Sequence, residues 1–242
     1  MAIPVEIAIA PQLANRLRLS GPFSVLDEAS FGLVLAGAQV MTFGAGDVLF
    51  NQDEAAERLF VVIEGLIGLL VAIEDGRKSL IEMIGPWQMI GEAGLFDSGT
   101  YPVSARAIAP TKAVALPAAP FLKLARENAP FRLQLLAFLS ARLRVLLRQI
   151  ADLKLMSAPQ RLASFLLGLA DSRSGHATVK LNCERRIVAS MLGMTPESLS
   201  RALRQLREIG VVSDARDRID IADVEAVKAF TRPKQQPNKG WL

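Results

Sequence analysis

Apolar positions follow three different rhythms along the chain. Between Phe43 and Leu116 they come in short runs separated by glycine turns. Gly44-Ala45-Gly46-Asp47 leads into Val48-Leu49-Phe50, and Leu59-Phe60-Val61-Val62-Ile63 stops at Glu64-Gly65. Leu66 to Ile73 stops at Asp75-Gly76, a hairpin signal. Lys78 to Met83, Met89-Ile90, Val103 to Ala107 and Lys112 to Leu116 read as further strands. Regular short strands predict a closed, antiparallel jelly-roll barrel, preceded by short helices over Pro11 to Leu19 and Ser24 to Ala36.

After Pro117 and Pro120 the rhythm becomes helical. Ala119 to Ala125 is a short helix, and Pro130 starts a long one. Its Leu136, Leu139, Leu143, Leu146, Ile150 and Leu153 are spaced 3, 4, 3, 4, 3, the alternation of a coiled-coil seam. Such a stripe could pack on the barrel instead. Leu133, Leu135, Phe138 and Leu147 flank it, however, so the helix has apolar surface for its own barrel and for a twin helix. Arg142, Arg144, Arg148, Asp152 and Lys154 are expected on other faces. The pattern predicts a parallel homodimer.

The third rhythm begins after Ser157-Ala158-Pro159 breaks the long helix. A helix from Pro159 to Ala170 and a short strand Thr178 to Leu181 precede Glu184 to Leu192, a short amphipathic helix. Gly193 allows a corner, Thr195 is a good N-cap, and Pro196 suits the first position of the next helix. In that helix Leu199, Leu203 and Leu206 are expected to face inward. Val211 to Ser213 and Arg218 to Ile221, joined through Asp214 to Asp217, read as a hairpin wing. Residues 223–230 are a terminal helix, and 231–242, with two prolines and a glycine, reads as a mobile tail. The predicted class is therefore α+β, with a barrel domain at 1–129, a dimerisation helix at 130–156 and a winged helix-turn-helix at 157–230.

Composition narrows the function. Of 242 residues 51% are apolar, which suits a packed globular chain. The apolar run from Leu59 to Ile73 contains Glu64 and is shorter than the roughly 20 residues of a membrane span. The first residues lack a signal-peptide pattern, so the expected address is cytoplasmic, without a membrane partner. One cysteine, Cys183, excludes an intrachain disulfide framework. Residues 151–242 hold 15 Lys+Arg against 10 Asp+Glu, whereas 1–150 hold 13 against 14. The positive excess sits with the helix-turn-helix, as a phosphate-binding surface requires. A solvated basic face is the plainer explanation of the charge alone.

The chemistry of that helix suits double-stranded DNA. Arg201 can pair bidentately with guanine and Glu197 can accept from cytosine N4. Ser200 can contact a base or a phosphate, while Thr195, Ser198, Arg204 and the wing residues Arg216 and Arg218 suit phosphates. Arg201 could instead form a surface ion pair with Glu197, four residues before it. Catalysis has poor material: the only histidine, His176, lies in a loop, and no nucleophile–base cluster or barrel metal site is evident. The chain reads as no enzyme.

Barrel, long helix and winged helix in that order resemble the CRP/FNR family of bacterial transcription regulators, from about Gly44 to Phe230. Gly46-Asp47, Gly65, Asp75-Gly76 and Ile90-Gly91-Glu92-Ala93-Gly94-Leu95-Phe96 stand where that family has its barrel glycines and sensor loop. Tyr101 to Ala170 and Pro196 to Arg201 look closest to the nitric-oxide-responsive denitrification regulators of the family. The resemblance implies a cyclic-nucleotide-binding-like barrel and a dimer reading palindromic DNA, with RNA polymerase as a further partner. Glu197, Ser200 and Arg201 are similar to the pattern of regulators that read TTGAT-type half-sites.

The resemblance also bears on the effector. Where the cyclic-AMP branch has Arg-Ser to hold the cyclic phosphate, this chain has Tyr101-Pro102, and where that branch has Thr-Ser on the dimer helix it has Leu146-Leu147. A buried phosphate without a cation is costly, which argues against cyclic AMP. The four cysteines of the iron–sulfur branch are absent. Haem stays open without a barrel histidine, through Tyr101, Met83, Met89 or the N-terminal amine. The expected pocket is an apolar cavity between barrel and dimer helix, lined by Met83, Trp87, Met89, Gly91, Glu92, Phe96, Tyr101, Leu143 and Leu147; the same side chains could be core filler. Cys183, near Arg185 and Arg186 at a helix start, is a redox candidate or a small semi-buried residue. Two functions remain: an effector-controlled regulator, or an effector-independent one whose barrel is a dimerisation or polymerase-contact scaffold.

Overall fold

The computed structural model describes residues 3–4, 9–72, 78–181, 183–214 and 218–232; Asp75-Gly76, Arg216 and the tail beyond Arg232 lie outside them. The elements in order are β1 (Ile3–Pro4), α1 (Pro11–Arg18), α2 (Glu28–Leu35), β2 (Gln39–Phe43), β3 (Val48–Phe50), β4 (Arg58–Glu64), β5 (Ile67–Ala72), β6 (Lys78–Ile84), β7 (Met89–Ile90), α3 (Glu92–Leu95), β8 (Ser104–Ala107), β9 (Thr111–Pro117), α4 (Ala118–Glu127) and α5 (Ala129–Leu155). There follow α6 (Ala158–Leu169), β10 (Ala177–Lys180), α7 (Arg185–Met191), α8 (Pro196–Leu206), β11 (Val211–Ser213), β12 (Arg218–Ile221) and α9 (Val224–Thr231). The chain divides into two compact units, 1–143 and 144–242, with the boundary inside α5. No helix of the described residues is long and apolar enough to cross a membrane.

The N-terminal unit is built on two antiparallel sheets, ordered β1-β2-β9-β4-β7 and β3-β8-β5-β6. β4 is apolar at nearly every position because both of its faces are covered. Leu59 and Val61 join a cluster with Leu17, Phe23, Phe31, Phe121 and Phe131 on the helical side. Phe60 and Val62 point the other way, into a cluster with Phe43, Phe50, Ile67 and Ala105. β9 alternates likewise, with Val114 and Leu116 toward the helices and Ala113 and Ala115 inward, where the small side chains leave room for phenylalanines.

Two elements differ from the sequence expectation. β2 has no clean alternation, because Val40 packs toward the helices and Phe43 into the interior, yet it pairs with β9 along its whole length. The stretch Ser24 to Ala36 is not one helix. A 3-10 turn over Gly21–Val25 ends before Asp27, whose carboxylate accepts from Ser30 N at 2.7 Å and caps α2.

The C-terminal unit packs α6, α7, α8 and α9 with a three-stranded sheet ordered β10-β12-β11. Ser157 and Gln160 form a capping box that starts α6 two residues after α5 ends. β11 and β12 pair antiparallel, Val211 opposite Ile221, as the wing pattern predicts.

Candidate functional site

The α7–turn–α8 unit is held from beneath by apolar contacts. Gly193 has φ +59, which a side chain rarely adopts. Thr195 Oγ1 accepts from Ser198 N at 3.2 Å, closing the first turn of α8, and Pro196 begins it. Leu199, Ala202 and Leu206 are buried. Leu203 is only half-buried, so Ala202 takes the inward place expected of it.

The opposite face of α8 is open. Thr195, Glu197, Ser200, Arg201 and Arg204 are exposed and Ser198 half-exposed. Arg201 Nη2 donates to Ser198 Oγ at 3.1 Å, and its charge also acts on Glu197, one turn before it. Glu197 stays ionised: the backbone N–H at the helix start and the Thr195 hydroxyl hold its pKa below the ordinary value. Ser200 Oγ donates back to Pro196 O at 3.1 Å, so its hydroxyl proton is used within the helix. Arg218 lies along β12 with Nη2 3.0 Å from Asp220 Oδ1, a partner that offsets part of its charge. Arg216 lies outside the described residues.

Further cations join this surface. A concavity of about 220 Å³ is lined by Arg185, Ser200, Leu203, Arg204, Arg207 and Ser213. Three elements meet there: the start of α7, the flank of α8 and the wing strand. The sequence signal was the i, i+4, i+7 spacing of Ser200, Arg204 and Arg207. Arg161 of α6 is a second residue that periodicity alone did not single out. Its Nε donates to Leu192 O at 2.9 Å, its Nη2 to Gly193 O at 3.4 Å, and its Nη1 to Met156 O at 2.9 Å. One guanidinium thus ties the helix-turn-helix corner to the chain just after α5. Cys183 is half-buried against the core of this unit.

The sensor residues anticipated from sequence do not meet in one cavity. Met89 and Ile90 are neighbours on β7 and so face opposite sides of the sheet, Met89 among the helices and Ile90 in the interior. Tyr101 belongs to the interior: its ring stacks on Phe50 with centroids 3.8 Å apart, and its hydroxyl donates to Arg58 O at 2.6 Å. Burial raises its pKa, although the neighbouring Arg58 backbone and charge offset part of that rise, so the side chain at that position is an uncharged ring. Trp87 sits under the Arg16 guanidinium at 4.1 Å. Met83 is half-buried opposite Gly68, and Gly91, at φ +92, starts α3. Leu143 and Leu147 are exposed. Phe96 lines a groove, beside Leu95, Leu122, Leu135 and Leu139.

α5 carries two faces. Phe131, Leu135, Phe138 and Arg142, spaced 4, 3, 4, turn toward the sheets. Arg142, expected on a face other than the seam, reaches inward: Nη2 donates to Glu82 Oε2 at 2.9 Å, and Nη1 to Glu92 Oε1 at 3.1 Å and Met89 O at 2.8 Å. Leu136, Leu143, Leu147, Ile150 and Leu153 form the second face and are about half exposed.

Two family models match: the cyclic nucleotide-binding domain over residues 40–128 and the Crp-like helix-turn-helix domain over 160–230. A solved protein of Ruegeria pomeroyi is 31% identical, covering 90% of this chain and 96% of that one, with a TM-score of 0.64. The CRP-like cAMP-activated global transcriptional regulator of Mycobacterium tuberculosis is 27% identical over 220 residues, 89% of this chain and 98% of its own. DNR of Pseudomonas aeruginosa is 26% identical, covers 91% and 99%, and has a TM-score of 0.52. The relatives are transcription regulators, not enzymes. With both domains present in order and the likeness spanning nearly the whole chain, this protein belongs to the CRP/FNR family of DNA-binding transcriptional regulators.

Proposed function

We propose that the protein acts as a homodimer reading an inverted-repeat site of TTGAT type, one α8 per half-site, under the control of a small effector held by the N-terminal unit. The open face of α8 carries this reading: Glu197, Ser198, Arg201 and Arg204 are available while Leu199, Ala202 and Leu206 fix the helix beneath them. Arg201 and Glu197 suit base edges; Thr195, Ser198, Arg204 and Arg218, with Arg185 and Arg207, suit phosphates. The exposed leucines of α5 support pairing along Leu136, Leu139, Leu143, Leu146, Ile150 and Leu153, since apolar surface of that extent calls for a cover.

The effector in this reading is not a cyclic nucleotide. The M. tuberculosis relative is named as cAMP-activated, but here Tyr101 and Pro102 supply neither a cation nor a hydroxyl beside an amide N–H for a cyclic phosphate, and the Tyr101 ring is packed on Phe50. Selection of bound sequences from a random DNA pool tests the function directly. An inverted repeat with half-sites about 34–36 Å apart is expected. A single unpaired half-site, or binding without base preference at moderate salt, would overturn it.

A further inference from the structure

A groove of about 620 Å³ runs between α4 and the first half of α5, a size ordinary for a small-molecule site. Leu122, Leu135 and Leu139 line it, with Phe96 and Leu136 about half exposed beside them. Its polar members are both cations, and both come from the corner where α4 turns into α5. Arg132 Nη1 donates to Ala125 O at 3.2 Å and Arg126 O at 2.8 Å, which fixes that guanidinium at the corner. Arg126 is exposed, and no carboxylate pairs with either arginine among the described residues. From Arg132 to Leu139 the groove follows about 10 Å of helix.

An apolar trough closed at one end by two arginines that have no carboxylate partner among the described residues is complementary to an amphipathic anion. Guanidinium groups favour a planar carboxylate, and the leucines favour an alkyl chain over water. We propose that this groove binds a straight-chain monocarboxylic acid of about eight to ten carbons, a chain length that spans the 10 Å of helix. The carboxylate lies on Arg126 and Arg132, and the chain lies along Leu122, Leu135 and Leu139. The inference rests on reading the N-terminal unit as the effector-binding part. It also puts the occupant against Leu136 and Leu139, seam positions of α5, so occupancy bears on the pairing of that helix.

Calorimetric titration of the full chain with decanoate, below its micelle concentration, tests this. One saturable site per chain is expected. Arg126→Glu, at an exposed position that leaves the core intact, should weaken binding at least tenfold, and Leu139→Trp, which fills the groove, should abolish it. Decan-1-ol and decyltrimethylammonium at the same concentration should not compete. Absence of saturation, equal binding of all three amphiphiles, or indifference to Arg126→Glu would overturn the proposal. So would binding seen only after Leu143→Glu/Ile150→Glu, because a second copy would then be the native cover of the groove. Sedimentation and DNA binding of the acid-free protein, measured in parallel, report separately on the dimeric DNA-reading function.

Discussion

Arg142 and Glu92 meet at 3.1 Å on the inward side of α5, although fifty residues separate them. Glu92 is 4% exposed, and its second carboxylate oxygen has no partner. Burial raises its pKa above the ordinary 4.5, and the Arg142 charge offsets part of that rise. The folded unit therefore holds the proton more tightly than the unfolded chain, so its stability falls as pH climbs from 4.5 toward the raised value. Glu92→Gln should flatten that part of the pH profile of urea unfolding; an unchanged slope would mean that Glu92 is not the group. Arg142→Met strands two carboxylates and should cost about 3 kcal/mol.

Arg161 makes a second prediction. Its three backbone acceptors, Met156, Leu192 and Gly193, hold the corner of the helix-turn-helix from below. Arg161→Lys keeps the charge but cannot reach three carbonyls with one fixed fork. Specific DNA affinity should fall several-fold while the oligomeric state, read by sedimentation, stays unchanged. Full affinity in the variant would show that the corner needs no such clamp.

Gly65 gives a stability test of the sheet frame. It sits at φ +91 between β4 and β5, and a Cβ there would lie 2.3 Å from Pro110 O and 2.6 Å from Thr111 Cα. Neither backbone atom can move freely. Gly65→Ala should therefore lose at least about 2 kcal/mol in urea unfolding, more than a positive φ alone would cost.

Much of this architecture was legible because burial leaves a period. α8 was read from Thr195, Pro196 and the leucine spacing, and the strands β3 to β9 from apolar runs punctuated by glycine. β2 was missed because Val40 and Phe43 are buried on opposite faces, which erases alternation. Around the expected pocket, spacing alone does not say which side of the sheet a residue takes: Met89 belongs to the cluster on the helical side, and Ile90 and Tyr101 to the interior one. Arg142 was read only as lying on a face other than the seam, with no partner named for it. Its partners Glu82 and Glu92 lie far from it in sequence, where no helical or strand spacing points to them.

The seam of α5 is tested by charge. Leu143 is 56% exposed and Ile150 50%, and neither supports the core of its own unit. Leu143→Glu/Ile150→Glu should leave the unfolding midpoint nearly unchanged yet yield a monomer by sedimentation. Loss of the second recognition helix should weaken binding to an inverted repeat by at least about a hundredfold, the scale on which joining two modules exceeds either alone. A dimer that survives both glutamates would place the interface elsewhere.

Arg201 and Arg207 should separate reading from holding. Arg201 projects from the open face of α8 two turns before Arg207, which lies in the concavity with Arg185 and Ser213. Arg201→Ala should cost about 1–3 kcal/mol on the selected site and erase preference at one base pair, because a bidentate contact to a base edge has no equivalent elsewhere. Arg207→Ala should weaken selected and scrambled duplexes alike, and reduce the slope of log affinity against log salt by about one, the signature of a single lost phosphate contact. Both slopes come from the same salt titration of the same two duplexes, so the roles are read side by side. If Arg201→Ala lowered both duplexes equally, that guanidinium would be a phosphate contact, and base reading would fall to Glu197 of the same helix.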